Sequence, residues 1–337
     1  MITEDAAISD EFITAKVHGM RSKLLEAERL TALTDCRSLH ELFRRIHPSE
    51  TFEGHAPFQR EIVAEHVQSL WRVRRFLSGH IQALFTELVR QFQLDNLKVA
   101  LRAYQAGMRL SAAEPLMIPV PKELALPIEW LLETPDPRRF VEAVQDTEWR
   151  AILAEHVKTT ERMDLFRCET ALERVYWIRV VKLSAPLGER ARRLVTLDAA
   201  VHGVLMVLRA KFDYGLDAEQ MGAAAFTNRE YLNKKTIEAL LAARDLETAV
   251  EAVPSRWLPP ALRRGILTVT ALEDALLLHQ YRTAVRCFVE SVLDISAVVG
   301  FYYIKRAELN NLIRLSEGVR HSLPRDEIES HLLMKAQ

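Results

Sequence analysis

Glycine, cysteine and long apolar runs are all scarce in this chain. Only 11 of its 337 residues are glycine, while Leu, Ala, Glu and Arg abound. These are strong helix formers, so the composition favours a stiff helical body. The three cysteines, Cys36, Cys168 and Cys287, lie far apart with no CxxC pair. That excludes metal ribbons and thioredoxin-type sites. It suits small buried side chains in a reducing compartment. No stretch approaches the ~18 consecutive apolar residues of a membrane span. The start, MITEDAAISDEF, has neither a basic nor an apolar region, so no signal peptide is expected. Net charge is −1, which gives no overall field toward nucleic acid or anionic lipid. With 49% hydrophobic and 27% charged residues, wholesale disorder is excluded.

Enzyme signatures are missing as well. There is no Walker-type GxxxxGKS/T loop, GxGxxG, GxSxG or HExxH. No cofactor or metal site and no catalytic residue is expected. The pair Glu273-Asp274 lacks the one-turn carboxylate spacing that would hold Mg²⁺, and the 46 carboxylates form no distinctive cluster.

Helical periodicity is nearly continuous. Val67, Leu70, Trp71, Val73 and Leu77 share one helix face, as do Leu84, Phe85, Leu88 and Phe92. No hairpin dipeptide sits between alternating residues, so the chain is expected to be all-α. Two breaks interrupt the pattern. Ser111 to Pro127 carries four prolines; Gly215 to Arg229 is softer and ends at Thr227-Asn228, a plausible helix start. They divide the chain into three helical units, 1–112, 113–222 and 223–337, within one continuous domain.

The three units resemble one another. Each opens a short amphipathic helix at a capping residue: Ser38, Asp136 or Asp245. Each carries an acidic-marked helix about 60 residues later, at Asp95, Asp198 and Glu308. Units two and three share Ala171-Leu172-Glu173 and Ala271-Leu272-Glu273. A period of roughly 100–110 residues is too long for the solenoid repeats of 20–50. Three such copies imply a pseudo-threefold arrangement, with Asp95/Asn96, Asp198 and Glu308/Asn311 in equivalent places. In the first helix Asp95, Lys98 and Arg102 face away from Leu94, Leu97 and Leu101 and allow i,i+3 pairing. Lys305, Glu308 and Asn311 follow at three-residue steps, and Gly318 reads as the end of that helix before Leu323-Pro324 starts another. A buried Asn or Asp in such helices must bond a neighbour, so these residues are expected to be architectural. Basic clusters at Arg72/Arg74/Arg75, Arg190/Arg192/Arg193 and Arg263-Arg264 read as solvated faces, or as docking points for acidic loops or headgroups.

These motifs, in this order, resemble the C/d subunits of V-type and archaeal A/V-type rotary ATPases, from about Phe12 to His331. The family's N-terminal segment looks like Phe12 to Leu25. Its first polar helix looks like Asp95-Asn96 to Leu101-Arg102, its second like Asp198 to Leu208-Arg209, and its C-terminal helix like Lys305, Glu308 and Asn311. The chain departs from the pattern at Val201-His202-Gly203, where an Asn is expected. It departs again at Ile313, where an Arg is expected and Arg314 follows, and at Asn228-Arg229-Glu230-Tyr231-Leu232. The resemblance implies a pseudo-threefold funnel and a non-catalytic rotor component of the central stalk. Such a component joins the shaft subunits to the membrane proteolipid ring, transmitting torque for proton or sodium transport. It implies a peripheral place on the cytoplasmic face, membrane contact only through the complex, no nucleic acid and no homo-oligomer. The alternatives from the residues alone are an all-α scaffold or adaptor unrelated to rotary ATPases and, less favoured, an all-α enzyme.

Overall fold

The computed structural model describes residues 10–48, 51–133, 137–157, 163–217, 221, 232–259, 262, 267–291 and 294–333. Among these the chain is all-α, with sixteen α-helices and no β-strand. Short helices α1 (Asp10–Arg21), α2 (Glu28–Thr31) and α3 (Leu39–Ile46) lead into two long ones, α4 (His55–Arg74) and α5 (Gly79–Gln105). Next come α6 (Leu110–Ala113), α7 (Glu129–Leu132), α8 (Arg138–Ala143) and α9 (Thr147–His156), then the long α10 (Leu165–Ser184) and α11 (Glu189–Leu208). The last group is α12 (Lys234–Ala242), α13 (Leu246–Ala252), the long α14 (Val269–Glu290) and α15 (Ser296–Arg320), and α16 (Arg325–Ser330).

Side-chain caps start several of these helices where the sequence places them. Ser38 accepts from the Glu41 N–H at 3.1 Å and Asp245 from the Thr248 N–H at 2.8 Å, each satisfying one orphan donor of its helix. Asp136 lies outside the described residues, and α8 begins after Pro137. The segment Asn228 to Tyr231 and the pair Arg263-Arg264 also lie outside them.

The six long helices form three antiparallel pairs. Arg74 donates to Thr86, and His66 meets Phe92, which sets α4 against α5. His202 of α11 meets Trp177 and Glu173 of α10. Arg314 of α15 pairs with Asp274 of α14 near one end of that pair, and Gly300 touches Phe288 near the other. The pairs then pack on one another in a closed order, α4–α5–α10–α11–α14–α15 and back to α4. Toward the hairpin ends the ring is filled by apolar and aromatic groups. Tyr302 there donates to the Leu88 carbonyl at 3.1 Å and packs edge-on to Phe85. A second core joins the C-terminal half of α11 to α12, α13 and the start of α14 around Trp257.

The chain crosses the α5–α10 and α11–α14 seams covalently. No chain connection crosses the α15–α4 seam, where direct contacts between the two helices are reinforced by the chain's two terminal regions. Lys16 of α1 sits 4.0 Å over the Phe76 ring, and the His18 ring lies tilted with its centre 4.2 Å from that of Phe288. Toward the other end of the chain, Arg325 pairs with Asp35, and Thr34 donates to Glu329 at 3.1 Å.

Gly318 does not end α15, which continues to Arg320, with Ser322 taking the left-handed conformation (φ 53°) instead. Its bare Cα admits Ile328 of α16, because a Cβ there would lie 2.7 Å from the Ile328 Cγ1. Among the described residues no helix is long and apolar enough to cross a membrane.

Gly300 brings the backbones of α14 and α15 close together, with a Cβ site 3.0 Å from the Phe288 backbone N and 3.1 Å from the Ala284 carbonyl. Backbone cannot yield as a side-chain tip can. Gly300→Val is expected to destabilise the chain by about 2 kcal/mol or more through overpacking, read as a lower urea midpoint.

Candidate functional site

The ring encloses a hollow of about 860 Å³, lined from α5, α10, α11, α14 and α15. It lies toward the end where α5 and α11 finish and α10 and α14 begin. Asp198 and Trp177 are deep in it, while Arg102, Leu165 and Tyr214 stand near its mouth. Tyr214 is 75% exposed. A helix with side chains is 10–12 Å wide and rises 5.4 Å per turn, or about 500 Å³ per turn. The hollow's volume is therefore that of roughly two helical turns.

Its floor is an ion pair. Arg306 of α15 donates to both Asp198 oxygens, at 2.8 and 2.9 Å, and Gln280 of α14 donates to the same carboxylate at 2.5 Å. Asp198 is almost wholly buried and Arg306 partly so. Bidentate geometry and a third donor occupy three of the carboxylate's about four acceptor sites, the kind of pairing such burial requires.

The wall carries linked pairs. Lys98 bridges Asp95 at 2.9 Å and Glu173 at 2.8 Å, and His202 reaches Glu173 at 2.9 Å. Burial alone would lower the Lys98 pKa, but the two carboxylates outweigh it and keep the ammonium charged. Burial would raise Glu173, yet bonds from His202 and Lys98 bring it down to about 2. Arg102 pairs with Glu169 and Arg209 with Glu273, both at 2.5 Å. Among the described residues, every carboxylate lining the hollow is held by a cation. The arrangement offers shape and balanced polarity.

Among the sequence-predicted residues, Asp95, Arg102, Asp198 and Arg209 come together in this hollow. Lys305 and Glu308 do not. They pair with each other in a separate cleft between α4 and α15, where Glu308 also accepts from the Leu25 N–H at 2.7 Å. Asn96 and Asn311 are buried clamps. Asn96 exchanges two hydrogen bonds with the Ile118 backbone, at 2.8 and 2.7 Å, and Asn311 accepts from the Leu333 N–H at 2.8 Å. Each holds the chain 22 residues farther on. Asp198 has the different role of a floor ion pair, nearer the middle of its helix. The displaced Arg314 pairs with Asp274 at 2.6 Å and donates to the His331 carbonyl.

Sequence reasoning missed Glu169, Arg306, Gln280 and His202 as site members. The shared Ala-Leu-Glu tripeptide was a partial signal. Glu273 is the fifth residue of α14, and its counterpart as fifth residue of α10 is Glu169, one turn before Glu173. The fifth residue of α4 is Gln59, which donates to Ser316 and Glu317 near the end of α15, both at 2.9 Å. All three seams thus join the fifth residue of one long helix to the end of the preceding pair. Two joints are Arg–Glu pairs; in the third the donor stands on the opposite side.

A sequence model of the family described as ATP synthase (C/AC39) subunit matches residues 13–331. The chain is 23% identical over 334 residues to the C subunit of the A-type ATP synthase of Methanosphaera stadtmanae, covering 95% of this chain and 86% of that protein. It is 18% identical over 336 residues to the C subunit of the A-type ATP synthase of Methanobrevibacter smithii, covering 95% and 87%.

Two outcomes are expected. Asp198→Ala leaves Arg306 without its carboxylate and should cost about 3 kcal/mol. Urea denaturation would read this, with partial recovery when Arg306→Met is added. The folded pKa of Glu173, about 2, lies below its ordinary 4.5. Its contribution is therefore present above about pH 4.5 and lost as pH falls toward 2. Glu173→Gln should be about 2 kcal/mol less stable than the parent at pH 7, and a pH series of melts should show the gap closing in that window.

Proposed function

The chain belongs to the ATP synthase (C/AC39) subunit family, and from that premise we propose that it is the non-catalytic central-stalk subunit of a rotary ATPase. In this reading the hollow receives the tip of the central shaft, and the hairpin-tip end of the ring sits on the membrane proteolipid ring. Torque passes between them in either direction, coupling ATP chemistry to proton or sodium transport. The protein works at the cytoplasmic face, touching the membrane only through the complex.

The observation that carries this reading is the hollow, which opens at one end of a helix ring that is packed solid at the other. A socket must be closed below to transmit torque instead of letting a shaft slip through. Its volume suits about two helical turns, and its paired charges suit a polar helical tip that keeps a register. The three like-placed joints support three units, 1–112, 113–222 and 223–337, about a pseudo-threefold axis. The matching clamps of Asn96 and Asn311 support the first and third of these.

Native purification of the tagged chain from solubilised membranes should recover the large ATPase subunits, the shaft subunits and the proteolipid. Recovery with unrelated partners would move the function to a scaffold. Single cysteines sharpen the test, because the three native cysteines are buried. Tyr214→Cys at the mouth should cross-link to a shaft subunit, and His80→Cys at a hairpin tip to the proteolipid. The opposite pattern would invert the orientation proposed.

A further inference from the structure

The α4–α15 seam contains a second set of residues that the rotor reading does not use. A cleft of about 490 Å³ lies between these helices, the end of α3 and the loop after α1. Four cations line it: Lys23, Arg45, Arg72 and Lys305. Arg45 is held by Glu41 and Lys305 by Glu308. The exposed Lys23 and Arg72 make no side-chain hydrogen bond or ion pair among the described residues. Glu65, the other carboxylate of the cleft, meets His47 at 3.6 Å and no other charged group among the described residues. His66 also lines the cleft. It is 3% exposed, and neither ring nitrogen has a partner. A buried imidazole always carries at least one N–H, and leaving it unbonded costs about 1–3 kcal/mol. Unused positive charge and an unbonded buried imidazole thus meet at one cleft, toward which the His66 ring must turn before either nitrogen, both closed to solvent, can donate.

We propose that this cleft binds a phosphate-type oxyanion, held by Lys23 and Arg72 at the rim and by His66 within. Such an ion would take the two free cations as charge-assisted donors. By binding groups on the α4 side beside Lys305 of α15, it would tie the one seam the chain does not cross covalently. Without it, burial first and then Lys305 and Arg306 hold the His66 pKa well below its usual value. An anion beside it offsets that repulsion and favours the protonated ring.

The test uses the purified full chain and is independent of the rotor reading. Inorganic phosphate is titrated by calorimetry, with hydrogen exchange on α4 and α15 followed in parallel. The His66 Cε1–H resonance, assigned with His66→Gln, is followed by NMR. Saturable binding is expected, with slowed exchange across the seam and a His66 signal moving toward the protonated position. Lys23→Ala with Arg72→Ala removes two exposed, unpartnered side chains, so the fold should stand. Affinity should fall about tenfold or more. Phosphatidylglycerol vesicles form a second arm. Stronger binding to them than to free phosphate assigns a lipid headgroup as the source; the reverse assigns the free ion. Absence of saturable binding in both arms overturns the proposal, as does binding that the double variant leaves unchanged.

Discussion

The carboxylate of Asp198 is the point on which three of the long helices depend. It comes from α11 and is met by Arg306 of α15 and Gln280 of α14. A buried charge is tolerated only while its partners hold their places. Those three helices are thereby fixed in rotation and in height. The pair also puts a polar floor where apolar packing would otherwise continue, and so decides where the solid part of the ring stops and the hollow begins. Above it the wall charges are neutralised in pairs, so the interior stays polar without self-repulsion.

Ring closure adds a second constraint. Six helices in cyclic order need six interfaces, and the hairpin connections provide three. The remaining three are seams between pairs, each joined at the fifth residue of a long helix. Two seams use Arg–Glu pairs, while the closing one uses Gln59 with Ser316 and Glu317. The two Arg–Glu joints coincide with covalent connection, and the Gln59 joint falls where the terminal regions bind each other. A ring closed at six interfaces would suit the torque-carrying role proposed. The unpartnered His66 and the uncommitted cations lie at the α4–α15 seam.

Much of this was legible in the sequence, because it depends on local chemistry. Apolar residues at helical spacing bury one stripe whatever the neighbour is, so the long helices around Leu70 and Leu84 were readable. Capping is local too, and Ser38 and Asp245 do what their positions imply. The reading of Gly318 failed for a physical reason. A glycine late in a helix can end it or admit a close neighbour, and only the approach of Ile328 separates the two. The Ala-Leu-Glu match slipped by one turn because a helix repeats its chemistry every three to four residues, so similarity cannot set register by itself.

The sequence alone determined the helical class and the family, since each rests on residues near one another or on motif order. Tertiary structure decided which polar residues share a site. Asp95, Arg102, Asp198 and Arg209 meet in one hollow, while Lys305 and Glu308 face another cleft and Asn96 and Asn311 tie down backbone. The partners Glu169, Gln280 and Arg306 stand 67, 82 and 108 residues away along the chain. At such separations a charge pair leaves no periodic trace. It exists only once helix packing has set rotation and height, and that depends on every interface around the ring at once.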